Sequence, residues 1–171
     1  VEEALTSRRF RVYRNDDLVG SEAAAAYARV IAMAYGMGVE LELGDSILST
    51  LFARGLAEMS EFVTYQGGYE NTTFGLAGAG NLHADTTGEG NIDFDLGRRY
   101  VAAEAPPLET FREDLGVIED EFFDFLRSLI SQADRGNLDF NILRALEHGL
   151  FDGEGVEAAF DWLMELPNLE E

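Results

Sequence analysis

The stretch that decides the fold is SEAAAAYARVIAMAYGMG, Ser21–Gly38. It follows Gly20, opens on a serine of the kind that caps helices, and is rich in alanine and glycine. Small side chains let neighbouring backbones approach closely. The sequence therefore predicts a central, buried helix entered from Ser21.

Four further apolar stripes recur at helical spacing along the chain. Asp45 is predicted to cap the first, and Asn137 to cap the third, which stops at Gly149. Only FRVY, Phe10–Tyr13, alternates as a strand does. The predicted fold class is all-α, with about five to eight helices in a single unit, residues 1–171. The stripes are Leu48, Phe52, Gly55, Met59 and Phe62; Ile118, Phe122, Phe125 and Leu129; Leu138, Ile142 and Leu146; and Val156, Phe160 and Leu163.

The chain is strongly acidic, with 33 acidic side chains against 12 basic ones and a formal net charge of -21. Every basic side chain is an arginine, and lysine is absent. This balance opposes binding to nucleic acid, so RRFRVYR, Arg8–Arg14, is predicted to dock on an acidic protein surface instead. Acid excess without lysine predicts a halophilic protein that works in molar salt, the alternative being an acidic mesophilic protein.

Missing residue types narrow the function classes further. Without cysteine the chain can form no disulfide, thiolate nucleophile or cysteine-ligated metal site. No run of about 18 apolar residues is present, so no membrane span is expected. Residues 1–10 carry no apolar signal segment, and a cytoplasmic location is predicted. The first residue is not methionine, which suggests a piece trimmed from a longer protein.

A glycine-rich stretch, TFGLAGAGNLHADTTGEGNIDFD, Thr73–Asp95, is predicted to break regular structure. Its GLAGAG segment has neither the glycine spacing of a dinucleotide fingerprint nor the lysine of a phosphate-binding loop. Spacing favours tight packing there over phosphate binding. His83 and Asp85, with Glu89 and Asp93 nearby, are weak metal-ligand candidates, so a solvated loop is favoured and no metal site is predicted. His148 is interpreted as a cation near a helix C-terminus.

Several short motifs, taken in their order along the chain, identify a protein family more specifically than the composition does. They are RFRVYRNDDLVGSE, Arg9–Glu22; VIAMAYG, Val30–Gly36; GD, Gly44–Asp45; ARGLAEM, Ala53–Met59; FGLAGAGNL, Phe74–Leu82; and FNILRALEHGLFDGEGVEAAFDWLME, Phe140–Glu165. Together they resemble the C-terminal half of NAD(P)-dependent glycerol-3-phosphate dehydrogenase. The resemblance implies a helical bundle of the 6-phosphogluconate dehydrogenase C-terminal type. It also implies an N-terminal Rossmann domain, absent from this chain, as the partner that binds NAD(P).

The family's catalytic residues do not carry over intact. The resemblance places the family's acid/base lysine and the following asparagine on Ala28 and Arg29. A guanidinium stays protonated near neutral pH and is a poor proton-transfer group. The family's aspartate falls on Asn81, and its threonine falls on Asp85, with Thr86 and Thr87 as neighbours.

The phosphate and cofactor clamp of the family, Ser-Arg-Asn-Arg-Arg, falls on Asn91, Ile92, Asp93, Phe94 and Asp95. Acids at these positions would repel a phosphate dianion. An insertion of a few residues would bring Arg98 and Arg99 to the clamp instead. The substrate-binding candidates are therefore Asn81, Thr86, Thr87, Arg98 and Arg99, with no cofactor-binding residue in this chain.

Three interpretations remain open. The chain is a divergent, inactive relative that can still bind a ligand, or its parent oxidises a hydroxy substrate through His83 and Asp85. Alternatively it is a non-enzymatic module that self-associates through the apolar stripe of residues 117–130.

Overall fold

The computed structural model describes residues 5–8, 12–87 and 90–165, and every regular element among them is helical. The all-α prediction is confirmed. Apart from two very short α-helices and one π-helix, seven α-helices lie in these ranges, within the predicted number. In chain order the elements are α1 (Leu18–Glu40), α2 (Asp45–Tyr65), α3 (Glu70–Thr73), the π-helix (Leu76–Gly80), α4 (Asn81–Thr87), α5 (Ile92–Ala102), α6 (Leu108–Arg112), α7 (Val117–Gly136), α8 (Asn141–Leu150) and α9 (Val156–Glu165).

Helix α1 is the central helix, as its alanine-rich sequence predicts. It packs most extensively against α5 and α2, and it also contacts α4, the π-helix and α8. A Cβ added to Gly36 would lie 2.1 Å from the carbonyl oxygen of Phe94 on α5, and one on Gly97 would lie 2.2 Å from that of Met33. The two helices therefore cross at a distance that only reciprocal glycines permit.

The predicted helix starts need correction. Helix α1 begins at Leu18, and its N-cap is Asp17 rather than Ser21. The carboxylate of Asp17 accepts hydrogen bonds from the Gly20 N–H, the Tyr69 N–H and the Thr72 hydroxyl. These contacts with a distant segment fix the start of α1 earlier than the local pattern suggests. Asp45 lies in the first turn of α2, whose N-cap is Gly44.

Asn137 ends a helix instead of starting one. It is the C-cap of α7 and has a left-handed conformation with φ of 50°, which asparagine tolerates better than most residues. Helix α8 starts later, after Phe140, a residue whose side chain cannot cap a helix. The prediction was wrong because asparagine suits both ends of a helix.

The glycine-rich stretch is mostly helical, contrary to prediction. The π-helix, α4 and the first turn of α5 occupy most of its described residues. Gly78 explains part of this, since a Cβ there would lie 2.0 Å from the carbonyl oxygen of Thr73. Gly78 thus serves the tight packing that the glycine spacing favoured.

The stripe on α7 belongs to the chain's own core. Phe122 and Leu129 are buried and Phe125 is half-buried, whereas Val117 and Ile118 at the start of the helix are exposed. No helix in the described ranges is long and apolar enough to span a bilayer. The strand-like FRVY segment lies partly outside the described residues, and Val12 and Tyr13 are not in a strand.

Candidate functional site

Five of the residues placed by the resemblance form two hydrogen-bonded groups, which together we call the polar cluster: Arg29 with Asp93, and Asp85 with Asn81 and Asn91. The charge of Asp93 acts on Asp85, so the two groups lie close together. Helix α1 supplies the arginine, and α4 supplies the Asn81–Asp85 pair. Asn91 and Asp93 come from the start of α5. Of the five predicted substrate-binding residues, Asn81 alone belongs to this cluster.

Arg29 is held by an ion pair with Asp93. Its Nε lies 2.8 Å from Oδ2 and its Nη2 lies 3.0 Å from Oδ1 of the carboxylate, a two-pronged geometry. The guanidinium carbon also lies 5.2 Å and 4.9 Å from the ring centres of Phe122 and Phe125. The two rings of α7 lie within cation–π distance of the guanidinium, and Asp93 of α5 accepts its hydrogen bonds. Arg29 of α1 therefore connects three helices.

Asp85 is the titratable centre of the cluster. Its two oxygens accept one amide hydrogen bond each, from Asn81 and Asn91, both at 2.8 Å. Burial is the largest influence on the carboxyl and raises its pKa, with the nearby charge of Asp93 acting in the same direction. The two amide donors lower the pKa but do not reverse the shift.

Helix α5 begins in the cluster. The side chain of Asn91 caps the helix by accepting a hydrogen bond from the Phe94 N–H at 2.9 Å. Asp93 and Asp95 lie in the first turn, where negative charge is favoured by the helix dipole. Acids thus occupy the end of α5 at which the resemblance places a phosphate clamp.

The predicted residues Ala28, Thr86, Thr87 and His83 do not add a reactive group to the polar cluster. Ala28 is fully buried and offers no functional group. The hydroxyls of Thr86 and Thr87 return to carbonyl oxygens of their own helix, those of Leu82 and His83. The side chain of His83 is exposed.

Arg98 and Arg99 lie further along α5 and are not brought into the cluster. Arg98 pairs with Glu40 of α1 at 3.0 Å, and Arg99 pairs with Glu119 of α7. Their guanidinium groups therefore link helices at the far end of α5.

A separate cleft of about 840 Å³ opens beside the start of α1 and the π-helix. Its walls include Tyr13, Tyr69 and Leu76, which are 62%, 69% and 64% exposed. Leu18 and Val19 are also exposed and follow Asp17, which binds the backbone of Tyr69. We call these five side chains the apolar face.

Two structural roles were missed by sequence reasoning. In the sequence, Asp93 is a position of the phosphate clamp and a weak metal-ligand candidate, and Glu58 is only part of the motif ARGLAEM. Arg29 offered a signal, since a cation within a buried alanine-rich helix requires an acidic partner. Glu58 offered one too, because ARGLAEM puts it on the same face of α2 as the buried Met59 and Phe62.

No group of three or more histidine, cysteine, aspartate or glutamate side chains is arranged to hold a metal ion within residues 5–8, 12–87 and 90–165. Glu89, one of the weak ligand candidates, lies outside those ranges.

Comparison with known proteins identifies the family. The model of the family described as "NAD-dependent glycerol-3-phosphate dehydrogenase C-terminus" matches residues 17–161. A glycerol-3-phosphate dehydrogenase [NAD(P)+] of Thiobacillus denitrificans is 33% identical over 162 residues, which cover 95% of this chain and 48% of that protein. The Bacillus subtilis relative is 32% identical, covering 96% of this chain and 47% of that protein. The chain thus spans about half the length of the curated relatives it matches.

A solved structure agrees with these relatives. The crystal structure of glycerol-3-phosphate dehydrogenase from Coxiella burnetii superposes with a TM-score of 0.83 and 27% identity, covering 96% of this chain and 50% of that one. Sequence and fold therefore agree along nearly the whole chain. This chain belongs to the NAD-dependent glycerol-3-phosphate dehydrogenase family and corresponds to its C-terminal domain.

Proposed function

We propose that this domain is the helical half of a protein that has kept the family's scaffold but not its lysine-based proton transfer. The observation that carries the proposal is the ion pair between Arg29 and Asp93. Arg29 occupies the position of the asparagine that follows the family's acid/base lysine, and the lysine position itself is Ala28, which is fully buried and carries no ionisable group. A paired guanidinium cannot release and recover a proton near neutral pH.

The charges of the cluster also oppose a phosphorylated ligand. Arg29 contributes one positive charge, while ionised Asp85 and Asp93 contribute two negative ones, so the group is net negative. Arg98 and Arg99 are engaged by Glu40 and Glu119. The proposed ligand is therefore neutral and hydroxylated rather than a phosphate ester, bound by the amide and carboxylate groups around Asp85.

The apolar face supports a second part of the proposal, which concerns the partner. The relatives are about twice as long as this chain, and this chain corresponds to their C-terminal part. Tyr13, Leu18 and Val19 lie at the beginning of the described helical unit, where a preceding domain would connect. We propose that a Rossmann domain, which would supply NAD(P), packs on this face.

The test is a ligand and activity screen of the protein encoded by the complete reading frame. We expect no oxidation of glycerol 3-phosphate with NAD+ or NADP+, and no thermal stabilisation by glycerol 3-phosphate. A neutral polyol such as glycerol, at about 100 times its dissociation constant, should stabilise the protein by about 2.7 kcal/mol. Turnover of glycerol 3-phosphate by the unchanged protein would contradict the proposal.

A double substitution provides the matched control. Ala28→Lys with Arg29→Asn reinstates the residue types that the resemblance assigns to these positions. Activity gained by this variant alone would attribute the loss to these two residues. The single variant Arg29→Asn lacks the lysine and should stay inactive.

The position of Asp85 favours one second candidate function, oxidation of a hydroxy substrate with Asp85 as the base. Its carboxyl lies in the cluster, and burial raises its pKa towards the range useful for proton transfer. Asp85→Asn should then abolish any turnover, whereas His83→Ala, at an exposed position, should leave it unchanged. Turnover that survives Asp85→Asn would exclude this candidate.

We also propose that the protein works in concentrated salt. The support is its formal net charge of -21 and the absence of lysine, all 12 lysine or arginine residues being arginine. Screening shortens the range of charge repulsion to about 3 Å at 1 M salt, so dilution should restore it. Circular dichroism should show unfolding when salt is dialysed away, and a chain that stays folded in dilute buffer would refute the proposal.

A further inference from the structure

One buried carboxyl lies apart from the polar cluster and takes no part in the proposed function. Glu58 on α2 is 7% exposed. One of its oxygens accepts a hydrogen bond from the Ile142 N–H at 2.9 Å, and the other accepts one from the hydroxyl of Tyr27 at 2.8 Å. A fully buried phenol on α1 and the first turn of α8 therefore converge on one side chain.

The start of α8 depends on this contact. The first N–H groups of a helix have no partners inside the helix, and a polar side chain at the N-cap normally satisfies them. Here the N-cap is Phe140, which makes no side-chain cap bond. Together with the N–H of Ile142, the N–H groups of Asn141 and Leu143 also lower the pKa of Glu58, as backbone donors to its carboxylate. Glu58 thus replaces a local cap from 84 residues away in sequence.

The same helix also holds the other end of the α8–α9 pair. Arg54 lies one turn before Glu58 on α2, is 7% exposed, and donates from Nη1 to the carbonyl oxygen of Leu163 at 2.8 Å. Leu163 lies in the last turn of α9, where the helix dipole is negative, while the start of α8 is positive. The two side chains therefore match the polarity of the two helix ends.

We propose that Arg54 and Glu58 form a two-ended cap through which α2 holds the α8–α9 pair, and that the proton on Glu58 controls the strength of this hold. This inference is independent of the ligand and of any catalysis.

The electrostatic surroundings give the direction of the effect. Burial raises the pKa of Glu58 to about 7, although the donors at the start of α8 and the hydroxyl of Tyr27 lower it. The charged groups near the Tyr27–Glu58 pair are Glu61 and Arg54 on α2 and Arg144 on α8. Arg144 is itself engaged by Asp134 and Glu147. The donors that bond to the Glu58 carboxyl are the Tyr27 hydroxyl and a backbone N–H, both neutral groups, and burial opposes its ionisation.

The sign of the pH dependence follows from linkage. A carboxyl with a pKa raised on folding stabilises the folded state below its unfolded pKa, and this stabilisation is lost as pH rises through the folded pKa. With a pKa of 4.5 unfolded and about 7 folded, the unfolding equilibrium constant should increase roughly 25-fold between pH 5.5 and pH 8 from this group alone.

The test compares Glu58→Gln with the unchanged chain and with Glu61→Gln, at an exposed position of the same helix. Glutamine keeps an oxygen for the Ile142 N–H but cannot ionise. We expect Glu58→Gln to remove most of the increase in the unfolding constant between pH 5.5 and 8, and Glu61→Gln to leave it. A profile that Glu58→Gln does not alter would overturn the proposal.

A second measurement applies if Glu58→Gln does not fold. The carboxyl carbon resonance of Glu58 in the unchanged chain should titrate with a midpoint near pH 7. The amide of Ile142 should then exchange faster above this pH than its intrinsic rate explains. A midpoint below about pH 5, close to the ordinary glutamate value, would refute proton control.

Discussion

Two neighbouring residues of α1 reach acids on opposite sides of the helix, and the two acids differ in their partners. Tyr27 donates to Glu58, which is buried among a neutral phenol and backbone N–H groups. Arg29 donates to Asp93, which faces a full positive charge. The Arg29 side chain is 36% exposed, so this second pair also meets solvent.

The difference between these two sites shows where pH can act on the fold. A carboxylate beside a guanidinium has its charge balanced, whereas one beside neutral donors must bear the cost of burial. We therefore expect the Glu58 side to respond to pH near neutrality. The stability contributed by the Arg29–Asp93 pair should depend on the salt concentration and on the presence of both side chains.

The two sites share helix α1, and the largest expected effect comes from breaking the close packing of this helix against α5. Gly36→Ala would place a Cβ 2.1 Å from the carbonyl oxygen of Phe94. We expect a loss of about 3 kcal/mol in the free energy of unfolding, measured by denaturant titration in high salt. Gly116→Ala, whose Cβ would have 3.4 Å to its nearest neighbour, should cost less than about 1 kcal/mol. Equal losses would mean that the close crossing is not required.

Removing the acid on the Tyr27 side should have the next largest effect. Glu58→Ala leaves the Ile142 N–H and the Tyr27 hydroxyl without their partner in the core. The expected cost is about 2–3 kcal/mol at pH 5.5. The cost should be smaller at pH 8, because the unchanged chain then carries a buried charge. A cost that grows with pH would contradict the sign derived for Glu58.

The Arg29 side should show a smaller, charge-dependent coupling. Asp93→Ala should cost about 1–2 kcal/mol, because the exposure of Arg29 reduces the penalty of leaving it unpaired. A double-mutant cycle with Arg29→Met isolates the pair energy. Asp95→Ala, in the same first turn of α5, controls for the helix dipole. If both aspartates behave alike, the ion pair contributes nothing beyond the dipole.

Tyr27→Phe is the mildest test. Loss of one hydrogen bond should cost about 1 kcal/mol and also raise the midpoint at which Glu58 titrates, because a donor to its ionised form is lost. Tyr100→Phe removes a comparable bond, to the carbonyl oxygen of Pro106, without touching Glu58. The pH dependence of the free energy of unfolding should shift for Tyr27→Phe and should not shift for Tyr100→Phe.

Helix type and burial were readable from the sequence because they depend on short-range periodicity. The stripe Leu48, Met59 and Phe62 needs only the helical repeat to predict which face of α2 is buried. Helix ends were less reliable. Ser21 and Asn137 have the right chemistry for caps, but the contacts of Asp17 with Tyr69 and Thr72 moved the start of α1.

The resemblance predicted only part of the polar cluster, and it did not predict which residues pair within it. The resemblance assigned Arg29, Asn81 and Asp85 to family positions, and in the structure Asn81 donates to Asp85 while Arg29 donates to Asp93. It gave no indication that Asp93, 64 residues from Arg29, would take up the guanidinium. The sequence also did not predict that Arg98 and Arg99 pair with Glu40 and Glu119. The rotation of α5 about its axis decides which acid each arginine meets.

The sequence by itself determined that this chain is helical, that its central helix packs closely, and that its 171 residues include no lysine. These properties follow from residue types and their spacing. Only the tertiary structure decided which acids pair with α1 and which side chain caps α8. A buried polar group takes the partner that packing brings within about 3 Å, and local spacing does not encode that distance.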